Sequence, residues 1–183
     1  MLVRRDGSGP VVGASGNSWL SIEEERARAD ELRLITKRAV TTHNSWTHNL
    51  EDFVPADGRD TNHLYVHPDD ARDLGLEEGA LADVRTAVAA VRLPVRFCDD
   101  LRPRTVALPH GWGHQHAEGL SVASRTRGVN VNVLAGDGPE ALDRLSGMAR
   151  LTGIPVEVSP AAGPLDPSSW TGLPEDRYPG PPA

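Results

Sequence analysis

Two polar loops stand out in this sequence for the chemistry their side chains could do. The first is Thr41-Thr42-His43-Asn44-Ser45-Trp46-Thr47-His48-Asn49, which follows Lys37-Arg38 at the end of an apolar-alternating stretch. The second is Pro109-His110-Gly111-Trp112-Gly113-His114-Gln115-His116, which follows Thr105-Val106-Ala107-Leu108. Each gathers amides, hydroxyls and imidazoles just beyond a strand end, where a rigid backbone leaves the loop free to surround a ligand. Gly111 and Gly113 permit close backbone approach to a phosphate or a flat ring.

Other chemistries compete for the same residues. His110, His114 and His116, joined by His43 or His48, form a spaced imidazole cluster that could bind a metal. No HExxH pattern is present, and Gly-Trp-Gly favours an irregular loop over a helix that would stack two imidazoles. Ser45 has His43 and His48 nearby in sequence but lies in no Gly-x-Ser-x-Gly elbow. On the residues alone, surface-loop histidines and a packing tryptophan remain an open alternative. Cys98, the single cysteine, sits in an alternating apolar stretch and reads as a buried packing residue in a reducing compartment rather than a nucleophile.

The elements that must hold these loops are short. Alternation predicts strands at Leu32 to Thr36, Leu64 to Val66, Leu81 to Thr86, Val88 to Phe97, Thr105 to Leu108, Val129 to Leu134 and Ile154 to Val158. His67 to Gly75 carries helix punctuation, with Pro68 in the first turn, Asp69 and Asp70 near the N-terminus and Gly75 at the stop. A second short helix is expected over Pro139 to Leu145, and Ser21-Ile22-Glu23-Glu24 reads as a capping box opening a polar helix to about Asp30. Residues 39 to 63 lack periodicity, and so long a loop inside a compact domain usually binds something. Six or more short strands, short helices and no βαβ rhythm predict a mainly β protein built as a small closed barrel.

Composition bounds the function. The 183 residues carry 19 basic against 26 acidic side chains, a net charge of −7, which is the wrong sign for a phosphate-backbone binder, so no nucleic-acid partner is expected. One cysteine excludes a disulfide scaffold and a self-contained cysteine-ligated cluster. No stretch reaches the roughly 18 apolar residues of a membrane helix, and no membrane partner is expected. Arg4-Arg5 is followed by Asp6-Gly7-Ser8-Gly9-Pro10 where an export signal would need an apolar region, so the sequence reads as cytoplasmic. The expected organisation is a flexible segment with a short helix at 1–30, a barrel at 31–159 and a Pro/Gly-rich tail at 160–183, where seven of the fifteen prolines fall (Pro160, Pro164, Pro167, Pro174, Pro179, Pro181 and Pro182).

Five segments, in this order, carry a family resemblance: LRLITKRAVTTHNSWTHNL, VHPDDARDLGLEEGALADV, LPVRFCDDLRPRTVALPHGWGH, GVNVNVLAGDG and LSGMARLTGIPVEV. Over about residues 31 to 159 the chain resembles the C-terminal molybdopterin-dinucleotide-binding domain of the dimethyl-sulfoxide-reductase and formate-dehydrogenase family. The resemblance implies a double-psi β-barrel and a bis(molybdopterin guanine dinucleotide) cofactor of molybdenum or tungsten, shared with a partner chain. It further implies that Arg38, His43, Asn44, Ser45, His48 and Asn49 in the first loop, and His110, Gly111, Trp112, Gly113 and His114 in the second, face the cofactor, with Asn132 near it. No catalytic residue and no metal ligand is implied in this chain.

Two departures accompany the resemblance. Ala135 stands where family members often have Thr, and the hundreds of preceding residues that supply the metal ligand are missing. The expectation is therefore a capping domain or small subunit that is not enzymatically self-sufficient, partnered by the catalytic large subunit of a molybdopterin oxidoreductase. The alternatives are a repurposed barrel that serves as an interaction or other small-molecule-binding module, and a stand-alone enzyme using the histidine loops with a metal.

Overall fold

A computed structural model describes residues 11–12, 19–20, 31–39, 42–53, 61–142 and 146–161. Strands β1 (Val11–Val12) and β2 (Trp19–Leu20) pair with each other antiparallel. The remaining strands are β3 (Leu32–Lys37), β4 (Leu64–Val66), β5 (Leu81–Arg85), β6 (Ala90–Phe97), β7 (Thr105–Pro109) and β8 (Thr152–Pro160). They close into a barrel in the order β3-β7-β4-β6-β5-β8. Two pairs are parallel, β3 with β7 and β4 with β6, and the others antiparallel, so the mainly β closed barrel expected from alternation is the observed fold.

The alternation that marks the strands is what fills the barrel. Leu32 and Leu34 of β3, Ala82 and Val84 of β5, Val91, Leu93 and Val95 of β6, and Val156 and Val158 of β8 all point inward and are buried. From Val106 to Leu108 of β7 every residue is buried, as suits a strand between two neighbours. Asp83 and Arg92 sit opposite each other in the β5–β6 register and pair through two hydrogen bonds, 2.6 and 2.9 Å.

The helix α1 (Pro68–Leu74) follows its punctuation. His67 caps it by accepting the Asp69 N–H on Nδ1, and Gly75 ends it in the left-handed region at φ +67°. Asp70 in the first turn is buried, and its carboxylate accepts the backbone N–H of Arg104 at 2.6 Å. Arg104 itself has φ +66°, so this bond holds a strained turn just before β7. Asp70→Ala is expected to cost about 2 kcal/mol by orphaning that N–H, read as a fall in Tm of roughly 5 °C. The exposed neighbour Asp69→Ala should cost far less.

Several sequence expectations are corrected. The alternating VNVNVL run is no strand: Val131–Leu134 is a 3-10 turn, because the Asn130 side chain caps the Asn132 N–H and bends the chain out of extension. Pro139–Ala141 is a 3-10 turn of three residues rather than a longer helix. The loop after β3 contains two 3-10 turns, Trp46–Asn49 and Glu51–Phe53. β6 begins at Ala90 rather than Val88, since Thr86 and Ala89 close a tight turn with Thr86 N donating to Ala89 O at 2.8 Å. Cys98 lies just past β6 and is half-buried instead of sealed in the core. The polar helix expected at 21–30 lies outside the described residues.

Candidate functional site

The two polar loops meet because β3 and β7 are parallel neighbours with Lys37 opposite Pro109. Both strands therefore release their following loop at the same barrel end, and His110 N donates to Lys37 O at 3.0 Å. The result is an open cleft of about 370 Å³, lined by Thr36, Asn44, Ser45, His110, Gly111, Trp112, His114, Asn130, Asn132 and Leu151. No carboxylate is among these residues, in a chain that carries 26 acidic side chains.

The second loop is wedged into place through its glycines. Gly111 has φ +94°, and a Cβ there would lie 2.3 Å from Asn44 O. Gly113 has φ +97°, and a Cβ there would meet Asn130 N and Cβ at 2.8 Å. Gly111 thus presses on the first loop and Gly113 on the segment carrying Asn132. Between them Trp112 lies on the backbone of Gly128, where a Cβ would come within 2.5 Å of the indole.

The histidines divide into different roles. His114 Nε2 lies 2.8 Å from Gly111 O; because a carbonyl only accepts, a neutral His114 carries its proton on Nε2. His48 is buried behind the cleft, edge-on to Trp112 with ring centroids 4.5 Å apart and to His114 at 5.7 Å. Neither His48 nitrogen has a hydrogen-bond partner, and neither does the buried Trp112 indole N–H. Burial, and secondarily the charge His114 can carry, lower the His48 pKa from 6.5 to about 4. Burial and then the Arg38 guanidinium lower that of His110.

Of the residues singled out by sequence, Asn44, Ser45, His110, Gly111, Trp112, His114 and Asn132 line the cleft. Arg38 is exposed and acts on His110 electrostatically. Gly113 backs onto Asn130. His43 is exposed, with its N–H donating to Thr47 Oγ1. Asn49 is turned to the Val122 and Ala123 amides, which its Oδ1 accepts at 2.9 and 3.1 Å, and Glu51 pairs with Arg125 nearby. Sequence reasoning missed Thr36, Asn130 and Leu151 as lining residues, and it missed Asn62. Asn62 is buried, donating from Nδ2 to Pro109 O and Val129 O and accepting from Val129 N. Among the described residues, no three or more His, Cys, Asp or Glu side chains converge in a way that could hold a metal ion, so the spaced imidazoles do not form such a cluster. No helix among them is long and apolar enough to cross a membrane.

The closed barrel thus presents amides, imidazoles and glycine backbone from two adjoining loops in one open, carboxylate-free cleft. The chain belongs to the family described as the molydopterin dinucleotide binding domain, whose pattern matches residues 32–155. It is similar to the arsenate respiratory reductase molybdopterin-containing subunit of Chrysiogenes arsenatis, 26% identical over 131 residues that make up 67% of this chain and 15% of that one. The same subunit from Shewanella sp. (strain ANA-3) is 24% identical over 128 residues, 68% of this chain and 14% of that one. The barrel is also similar to the acetylene hydratase structure from Pelobacter acetylenicus, with a TM-score of 0.60 and 24% identity over 75% of this chain and 19% of that one. That likeness is one of fold. The chain spans about one-seventh of the length of the curated relatives it matches.

Proposed function

We propose that the cleft holds part of a molybdopterin guanine dinucleotide, and that the chain is a capping domain or small subunit completing a site whose remainder belongs to the catalytic large subunit of a molybdopterin oxidoreductase. The observation that carries this is the chemistry of the cleft: asparagine, serine and histidine side chains around glycine backbone, with no carboxylate among the lining residues. These groups fit the ligand. Asn44, Asn130 and Asn132 offer both donors and acceptors to pterin or guanine edges, and Ser45, His110 and nearby Arg38 suit pyrophosphate oxygens. The buried Trp112 indole N–H, which has no protein partner, adds a donor beside the cleft. When bound, the metal and its pterins supply the redox chemistry, while this chain's residues bind and orient the dinucleotide.

The cleft's volume, about 370 Å³, is at the small end for ligand sites of about 300 to 1,000 Å³, in keeping with a ligand only partly covered by this chain. Exposed apolar side chains close in sequence to lining residues support a covering partner. Trp46 is 80% exposed next to Ser45, and Met148 is 68% exposed near Leu151, with Leu50 and Phe53 also exposed.

The test is co-expression with the large subunit, followed by complex isolation and acid extraction of guanine nucleotide and metal. Stoichiometric guanine nucleotide and molybdenum or tungsten are expected in the complex. Asn44→Ala together with Asn132→Ala should lower the retained nucleotide roughly tenfold or more, since each lost hydrogen bond is worth about 1 kcal/mol. A stable complex holding no guanine nucleotide, or no complex at all, would overturn the reading.

A further inference from the structure

We infer that Asn62 is a positioning residue for this cleft, setting the spacing of its two walls although it does not line it; the inference rests on the ligand site proposed above. Asn62 is 2% exposed and lies two residues before β4. Both of its amide hydrogens are used, one on Pro109 O at 2.9 Å and the other on Val129 O at 3.0 Å. Its oxygen accepts the Val129 N–H at 2.9 Å.

The placement of those partners gives the side chain its role. Pro109 is the last residue of β7 and leads directly into His110 and Gly111. Val129 immediately precedes Asn130 and the turn that presents Asn132. One buried amide therefore ties the root of one cleft wall to the root of the other. Val129 lies outside the barrel strands, and Asn62 satisfies both its N–H and its C=O, a load that a strand ladder carries elsewhere. Beyond the tie, Gly113 packs against Asn130 with no room for a Cβ, so a displacement of Val129 is passed on to the loop that carries His110 to His114.

The amide is specific for this task. A carboxylate of the same shape can still accept the Val129 N–H, but it would face Pro109 O and Val129 O without a hydrogen to give either. Leucine would fill similar space and make none of the three bonds. None of the three bonds belongs to the strand pairings of β5, β6 and β8.

The experiment uses the full chain carrying Asn62→Asp or Asn62→Leu, in two arms. In the first, amide chemical shifts are compared with those of the unsubstituted protein, and changes are expected to concentrate at residues 110–114 and 128–132 while β5, β6 and β8 keep theirs. In the second, each variant is assembled with the large subunit and its extractable molybdopterin guanine dinucleotide is measured, with a loss of at least tenfold expected. Shift changes spread evenly through the barrel, or absent from both loops, would overturn the inference and leave Asn62 an ordinary buried residue. So would localised changes accompanied by undiminished cofactor. If the unsubstituted complex itself holds no guanine nucleotide, the ligand reading fails, and the first arm still decides whether Asn62 sets the cleft. Should Asn62→Leu fail to fold, Asn62→Asp, which keeps one bond and the volume, carries both arms.

Discussion

Gly111→Ala is expected to dismantle the cleft while leaving the barrel folded. At φ +94° an L side chain is strained by about 1–2 kcal/mol before any contact is counted. The added methyl would then sit 2.3 Å from the carbonyl oxygen of Asn44, which is backbone and cannot swing aside. Relief requires moving the first loop, the second, or both, at a further cost of about 1–3 kcal/mol by analogy with overpacked cores. A total near 4 kcal/mol predicts a Tm lower by roughly 10 °C and loss of retained guanine nucleotide to background in the assembled complex.

Gly75→Ala separates the two contributions. Gly75 has φ +67° at the end of α1, but a Cβ there meets nothing within 4 Å. It should lose about 1 kcal/mol of stability and keep the full complement of ligand. Thermal unfolding of both variants alongside nucleotide extraction makes the comparison. Equal destabilisation by the two substitutions, or normal ligand content in Gly111→Ala, would show that the loops are not wedged as described.

The barrel was legible because its strands bury alternate residues, and Leu32/Leu34, Val91/Leu93/Val95 and Val156/Val158 announce that in order. The two loops were legible as chemistry-bearing segments for the same local reason, a change from alternating apolar residues to His, Asn, Ser and Gly. What brings them together was not. The parallel register of Lys37 with Pro109 joins residues 72 positions apart, and no local pattern states it. The VNVNVL run misled because Val129 and Val131 are buried two apart, as in a strand, while the Asn130 cap, a single side-chain hydrogen bond, accompanies a 3-10 turn in which burial steps by three, from Val131 to Leu134.

Asn62 was invisible for a related reason. Its partners lie 47 and 67 residues away, and an asparagine before a short strand ordinarily signals only a loop. Asn49 and His48 illustrate the converse. Their residue types suit a ligand, yet one is spent on the Val122 and Ala123 amides and the other is sealed behind Trp112. Residue type locates chemistry to a loop; which face of the loop a side chain takes depends on packing that only the assembled barrel defines.

The sealed imidazole makes acid stability a second large test. His48 has its pKa lowered from 6.5 to about 4, chiefly by burial, so the folded state holds it neutral where an unfolded chain would bind a proton. Its contribution to stability is therefore complete above pH 6.5 and is lost progressively as pH falls to about 4. The full loss is about 3 kcal/mol, because each tenfold drop in proton affinity on folding corresponds to about 1.4 kcal/mol. His63 and His110, also lowered by burial, act in the same direction, so the wild-type slope alone does not isolate His48. His48→Phe does. Phenylalanine can keep an edge contact with Trp112, carries no titrating group and removes two nitrogens that have no partner. Denaturant unfolding measured at pH 7, 6, 5 and 4.5 should show the stability of His48→Phe relative to wild type increasing steadily as the solution is acidified. Parallel stability curves over that range would mean that His48 is hydrated or can rotate to solvent, and that the Trp112 loop is looser than the ring contacts require.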